Sequence, residues 1–189
     1  MKNLKSIAIA LLVTVSTIAV AQTKKVDATK SKITWLAKKV TGQHSGTVNL
    51  KEGSLVFKKA KLTGGSFVVD MFTIQVTDLK AGEGKEKLEG HLNSEDFFGT
   101  DKFKTANLTF KTVKATKVAG TYSVTADLTI KEITSPVTFD IAVKGKTANA
   151  KVVINRTKYG IKYGSGSFFD NLGDKVINDN FDLNVTLQF

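Results

Sequence analysis

The chain has 189 residues, a single proline, no cysteine and a formal net charge of +11. That length suits one domain with a sizeable core, and the lack of cysteine excludes disulfides, thiol catalysis and cysteine-ligated metals. The positive charge is almost all lysine, Arg156 being the lone arginine, so the guanidinium forks on which nucleic-acid binders rely are missing.

Residues 1–21 read as a secretory signal peptide. Lys2 and Lys5 precede an apolar run from Ile7 to Val20, and Ala19-Val20-Ala21 places small residues at a cleavage site before Gln22. The run is broken by Thr14, Ser16 and Thr17, and it is short of the ~20 apolar residues of a spanning helix. No cysteine follows it, so a lipoprotein anchor is excluded. The expected plan is a leader at 1–21 and one domain at 22–189, exported to the periplasm. Lys2 and Lys5 account for two charges and residues 1–21 hold no acid, so the remainder keeps +9.

From there the pattern has period two. Ile33, Trp35 and Ala37 alternate with Lys32, Thr34 and Lys38, and His44 shares its parity with Val48 and Leu50. Phe67, Val69 and Met71 follow the pair Gly64-Gly65, where a strand bends or bulges. A polar connection comes next. It contains the only helical stretches, Glu83–Leu88 and Ser94–Phe98, with Ser94 placed as an N-cap. Alternation resumes at Leu108 and Phe110, continues through Tyr122–Ile130, Val137–Val143 and Val152–Ile154, and ends in Phe181–Phe189.

Turn signals fall at Lys51-Glu52-Gly53, Ala119-Gly120, Lys144-Gly145-Lys146 and Gly164-Ser165-Gly166. Lysines such as Lys32, Lys38, Lys111, Lys131 and Lys151 take the polar parity of a solvated face. The expectation is an all-β antiparallel fold of eight or more strands, sandwich or barrel, with one or two short helices in a long loop.

Several words along the chain share one source. Val69-Asp70-Met71, then Asp78-Leu79, then L-x-G-H-L-x-S-x-D-F-F at Leu88–Phe98 occur in order. Gly42-Gln43-His44-Ser45-Gly46-Thr47-Val48, Leu128-Thr129-Ile130-Lys131, Pro136-Val137-Thr138-Phe139 and Arg156-Thr157-Lys158-Tyr159-Gly160-Ile161 extend the set. Together they resemble the YceI family of the bacterial envelope, over nearly all of 22–189. Two positions depart from it: Glu132 stands where a glycine is usual, and a proline usual near Lys104 is absent.

The resemblance implies an eight-stranded lipocalin-like barrel that holds a polyisoprenoid tail. Burying such a tail is worth about 0.8 kcal/mol per methylene. On that implication the tail lies against Trp35, Phe67, Val69, Met71, Leu92, Phe97, Phe98, Phe110, Leu128, Ile130, Phe139 and Ile141. His44, His91 and Arg156 are the candidate headgroup contacts. No cofactor beyond the lipid and no metal is implied.

The residues themselves leave alternatives open. The two histidines lack an H-E-x-x-H spacing, and a loop-to-rim hydrogen bond competes with headgroup contact. Asp70 either points outward or ties a bulged strand to the loop carrying His91. Arg156 either pairs with a carboxylate such as Asp70 or Asp170 or clamps a phosphate. Phe97-Phe98 and Phe168-Phe169 either plug a barrel end or form a lid or tail-lining wall.

The leading expectation is a non-enzymatic periplasmic carrier, monomer or homodimer, in transient contact with the membrane surface. One alternative is a small outer-membrane barrel, since the chain ends on Phe189 after a clean alternating strand; its apolar face would then point outward. The other is an enzyme of unfamiliar type using His44, His91 or Asp70.

Overall fold

The structure, a computed structural model, describes residues 20–189. The leader expected over 1–21 lies outside these residues but for its last two. Nine strands run β1 Ala21–Lys25, β2 Lys32–Lys39, β3 Gly42–Lys58, β4 Lys61–Val76, β5 Thr105–Ala115, β6 Thr121–Ile130, β7 Ile133–Lys144, β8 Thr147–Asn155 and β9 Ile177–Gln188. Helix α1, Lys85–Asn93, lies in the β4–β5 connection, and 3-10 turns occupy Arg156–Tyr159 and Gly173–Lys175.

Strands β2 to β9 form a closed antiparallel barrel of eight. Its order is β3-β2-β9-β8-β7-β6-β5-β4, and β4 pairs back onto β3. The seam between the first and last of these strands is tight, with Ile33 facing Val185 and Trp35 facing Leu183. β1 stands outside the ring and pairs only with Ser54–Lys58.

Alternation decides which way each strand faces. On β6, Val124, Ala126, Leu128 and Ile130 are buried, while Lys32, Lys38, Lys111 and Lys151 on other strands stand in solvent. The apolar parity points in and the lysines point out, the reverse of a barrel that crosses a bilayer.

Two strands are long enough to need corrections of parity. The turn expected at Lys51-Glu52-Gly53 is instead a bulge within a continuous β3: Leu50 pairs with Val69, but Glu52 pairs with Val68. An extra residue flips every later side chain, so the buried set moves from Val48 and Leu50 to Leu55 and Phe57. Bulges draw on the residue types that turns use, which is why the two look alike in sequence. On β4 the expected irregularity near Gly64-Gly65 is present, with Thr63 as the extra residue between Leu62 and Gly64.

A second bulge on β4 follows Asp70, whose carboxylate accepts from Phe72 N–H (3.1 Å) while its carbonyl accepts from the Thr73 hydroxyl (2.6 Å). Asp70 therefore holds its own strand's bend, not the loop carrying His91.

The helical expectation is half right. α1 overlaps Glu83–Leu88 but runs on to Asn93, and Ser94 is its C-cap, with the hydroxyl donating to His91 O (2.8 Å). Glu95–Phe98 is a turn. Serine can satisfy either end of a helix, so the residue alone did not fix the polarity.

Candidate ligand-binding cavity

The barrel is not filled by its own side chains. Phe67, Met71, Leu128, Ile130, Phe139 and Ile141 are buried and face inward, yet Val69, Leu108, Phe110, Phe181, Leu183 and Val185 also face inward and remain partly accessible. They surround a cavity of about 180 Å³. A water-sized group needs about 10–15 Å³ of such space, so the interior takes on the order of a dozen methylenes.

All twelve residues expected against a lipid tail line this cavity: Trp35, Phe67, Val69, Met71, Leu92, Phe97, Phe98, Phe110, Leu128, Ile130, Phe139 and Ile141. The inward set of β8 and β9, including Val152, Ile154, Phe181 and Leu183, lines it as well and was missed. The same alternation marks those strands, so the signal was present.

The polar members of the wall are Asn107, Asn178 and Arg156. Asn107 and Asn178 are exposed and lie near the starts of β5 and β9, which places the opening at the barrel end that carries α1. Phe97 and Phe98 descend from the turn after α1 into this end, and Phe98 meets Phe181 edge to face at 6.4 Å.

The three candidate headgroup residues separate. His44 is opposite Ala37 across β2–β3 and outside the cavity wall. Its Nδ1 donates to Asp78 Oδ2 (2.9 Å), and Asp78 Oδ1 accepts from Ser45 N–H (3.0 Å). Partial burial opposes ionisation of Asp78, but the Ser45 N–H and His44 outweigh it and hold the carboxyl below its ordinary value. His44 thus ties the rim of β3 to the segment after β4.

His91 lies behind the wall. Its ring is packed edge-on between Phe97 (4.9 Å) and Tyr163 (4.4 Å), and its Nε2 is buried without a hydrogen-bond partner.

Only Arg156 reaches the cavity, and its donors are committed. It is 3% exposed. Nε donates to Asn178 O (3.1 Å), Nη1 to Ile161 O (3.0 Å) and Tyr163 O (2.8 Å), and Nη2 to Ile177 O (2.9 Å). Asp179, at 3.7 Å, is its acidic partner in place of the expected Asp70 or Asp170. Burial lowers the guanidinium from its ordinary value and Asp179 partly offsets this.

Desolvating an isolated charge costs several kcal/mol, while each hydrogen bond to a charged group returns about 1.5–3 kcal/mol. Arg156 is a brace for the segment after β8, and it reaches the cavity wall with its guanidinium carbon 5.8 Å from the centre of the Phe97 ring. Asp179 and its bonds to the Ser165 and Ser167 hydroxyls, both 2.6 Å, were not found in the sequence. Nothing in their spacing brings them together without the fold.

Phe168 and Phe169 neither plug the barrel nor line it; both stand about half exposed. Among the described residues no group of three or more His, Asp or Glu side chains is arranged to hold a metal.

A closed barrel around an apolar cavity is shared by many proteins, but this chain's match is specific. The model of the YceI-like domain matches residues 25–189. The chain belongs to the YceI-like family. Curated relatives of the YceI-like chain include UPF0312 proteins of Staphylococcus aureus, 39% identical over 89 residues in strain USA300 and 40% over 86 residues in strain RF122. Those alignments cover 41% and 40% of this chain, and it spans about half of the relatives' length, 48% and 47%.

Solved structures share the fold. BcnA of Burkholderia cenocepacia superposes with a TM-score of 0.62 at 20% identity, covering 86% of this chain and 98% of BcnA. A polyisoprenoid binding domain from Saccharophagus degradans superposes with a TM-score of 0.60 at 14% identity, covering 90% and 97%. The Campylobacter jejuni YceI protein gives 0.53 at 18% identity, covering 75% and 82%. Against this family, Glu132 keeps the left-handed backbone that a glycine would adopt without strain: φ is 51° at Lys131 and 63° at Glu132.

Proposed function

We propose that this YceI-like protein is a carrier that holds a long-chain polyisoprenoid lipid, of isoprenoid quinone or polyprenyl phosphate type, in the barrel interior and does no chemistry on it. The observation that carries this reading is the hollow: an apolar cavity whose lining side chains stay partly accessible inside a closed barrel. An apolar cavity without polar partners is poorly hydrated and takes hydrocarbon readily. The family membership and the likeness to a polyisoprenoid binding domain support the ligand class.

The slim shape matters as well. A barrel of eight strands leaves room for one chain and little else. A headgroup would remain at the α1 end, near Asn178 and Arg156, whose donors are committed to backbone carbonyls. Carriage through water explains why hydrocarbon-burying walls would be enclosed at all. The leader expected from the sequence over 1–21 supports export, and the periplasm is the site of action in this reading.

The test is direct. The protein, purified from its own envelope without detergent, is extracted with organic solvent and the extract is examined by mass spectrometry. A stoichiometric prenyl-chain lipid is expected. An extract free of lipid, together with no uptake of added prenyl lipid, overturns the proposal.

A further inference from the structure

The segment between the Arg156 turn and β9 carries the least ordinary surface of the molecule. Tyr163, Phe168 and Phe169 are 47%, 48% and 51% exposed. Val40, 62% exposed, stands beside the end of the same segment, where its N–H donates to Val176 O (3.1 Å). Large apolar groups clustered in solvent mark a surface that meets something.

These rings are not exposed through slackness. Phe168 and Phe169 both donate their N–H groups to Ser165 O, at 3.1 and 3.0 Å. Ser165 is fully buried, and its hydroxyl and that of Ser167 grip the two oxygens of Asp179. Ile177 N–H donates to Gly164 O (2.8 Å), and Arg156 holds the carbonyls of Ile161 and Tyr163. A buried polar network thus keeps a pair of phenylalanines pointing away from the core.

We propose that this tip is a membrane-docking element that brings the cavity opening onto an anionic lipid surface. The proposal rests on the carrier reading and adds where the cargo enters and leaves. Three features select a bilayer as the occupant. First, the region carries positive charge: Lys162 Nζ lies 4.5 Å from the centre of the Phe168 ring, Lys175 shares the segment, Lys158 stands in the turn before it, and Lys38 and Lys39 precede Val40. Asp170 and Asp174 balance Lys162 and Lys175 within the segment, and Lys158, Lys38 and Lys39 beside it leave the region positive.

Second, the tip is continuous with the opening. Asp179, which anchors it, follows Asn178 in the wall, and Tyr163 packs 5.9 Å from Phe97, which lines the cavity. Third, exposed aromatic rings with lysines nearby are what interfacial elements use, the rings entering the headgroup layer while the amines stay with anionic lipid. A prenyl chain crossing from bilayer to barrel here would meet little water.

Flotation with vesicles of phosphatidylcholine, with and without phosphatidylglycerol, tests this on the protein as the cell processes it. Binding to the anionic vesicles is expected. The Phe168→Ser, Phe169→Ser variant should partition at least about tenfold less, since the insertion of apolar surface drives such binding. Its melting and its uptake of an apolar fluorophore into the cavity should match wild type. Val118→Ser, at a residue still more exposed (65%) but at the opposite end of the barrel, should bind vesicles as wild type does.

Absence of wild-type binding, full retention by the double variant, or an equal loss with Val118→Ser each overturns the proposal. If vesicle binding depends on the two rings while the fluorophore never enters the barrel, the docking tip stands and the carrier reading falls.

Discussion

The ring of Phe110 lies against the bare backbone of Gly65: a Cβ at that glycine would meet the ring edge at 3.0 Å and Leu55 Cδ2 at 3.2 Å. The contact sets Phe110 in the wall of the cavity, tilted against Phe67 at 5.7 Å and edge-on to Phe139 at 5.9 Å. Gly46 is tighter, since a Cβ there would meet Gln75 O at 1.8 Å and the Trp35 ring at 2.5 Å.

The two glycines should therefore respond differently to alanine. At Gly65 the neighbours are side chains beside free space, so Gly65→Ala should cost about 1 kcal/mol as Phe110 swings inward. At Gly46 the first obstacle is the backbone of the paired strand, so Gly46→Ala should cost about 3 kcal/mol or more. Urea melts of the two variants check the order, and equal costs would count against the hollow beside Phe110.

Leu183→Trp places a large ring into the cavity from β9. In a packed core such an enlargement costs about 1–3 kcal/mol. Here the expected cost is under about 1 kcal/mol, with lipid co-purification sharply reduced. Melting and lipid extraction on one preparation measure both.

Arg156→Lys keeps the charge but cannot reach four carbonyls in a fork. A single ammonium leaves some of them buried and unpaired, at about 1–3 kcal/mol each. The expected outcome is a loss of about 2–4 kcal/mol and early proteolysis within 161–176, upstream of any cut in the barrel strands.

Asp179 gives the same segment an acid limit. Partial burial opposes its ionisation, but the Ser165 and Ser167 hydroxyls and Arg156 prevail and hold its folded value below the ordinary 3.8. A depressed carboxyl adds stability above its unfolded value and loses it as pH falls through the folded one. The stability gap between wild type and Asp179→Asn should be full at neutral pH and shrink below about pH 4. Melts of both proteins across that range check it; a gap independent of pH would refute it.

Glu132→Gly removes a side chain from a left-handed position, φ 63°, where the resemblance to the family leads one to expect glycine. A non-glycine residue there costs about 1–2 kcal/mol, partly regained through its stiffer unfolded chain. A net gain of about 0.5–1 kcal/mol is expected in chemical denaturation.

Much of the fold was legible because alternation carries most of it. Tyr122–Ile130 reads as one face buried and one wet, and so it folds. The interior could not be judged hollow, because Phe67 or Ile141 would show the same pattern around a packed core. Only the accessibility of Val69, Leu183 and Val185 in three dimensions separates the two. Arg156 could be singled out as the lone guanidinium, but its partners could not, since all four of its acceptors are backbone carbonyls, of Ile161, Tyr163, Ile177 and Asn178, which any residue would offer. Parity also failed at Lys51-Glu52, where one inserted residue makes a continuous strand look like two.

The seam of the barrel joins β2 to β9, the first strand of the ring to the last. No partial chain can close it. Residues up to Asn155 supply seven of the eight staves, and β2 waits with an unpaired edge until β9 arrives. Contacts that span nearly the whole chain form late and slowly. Folding is thereby timed to the arrival of β9, and a chain that emerges N-terminus first stays an open sheet until that strand has joined β2.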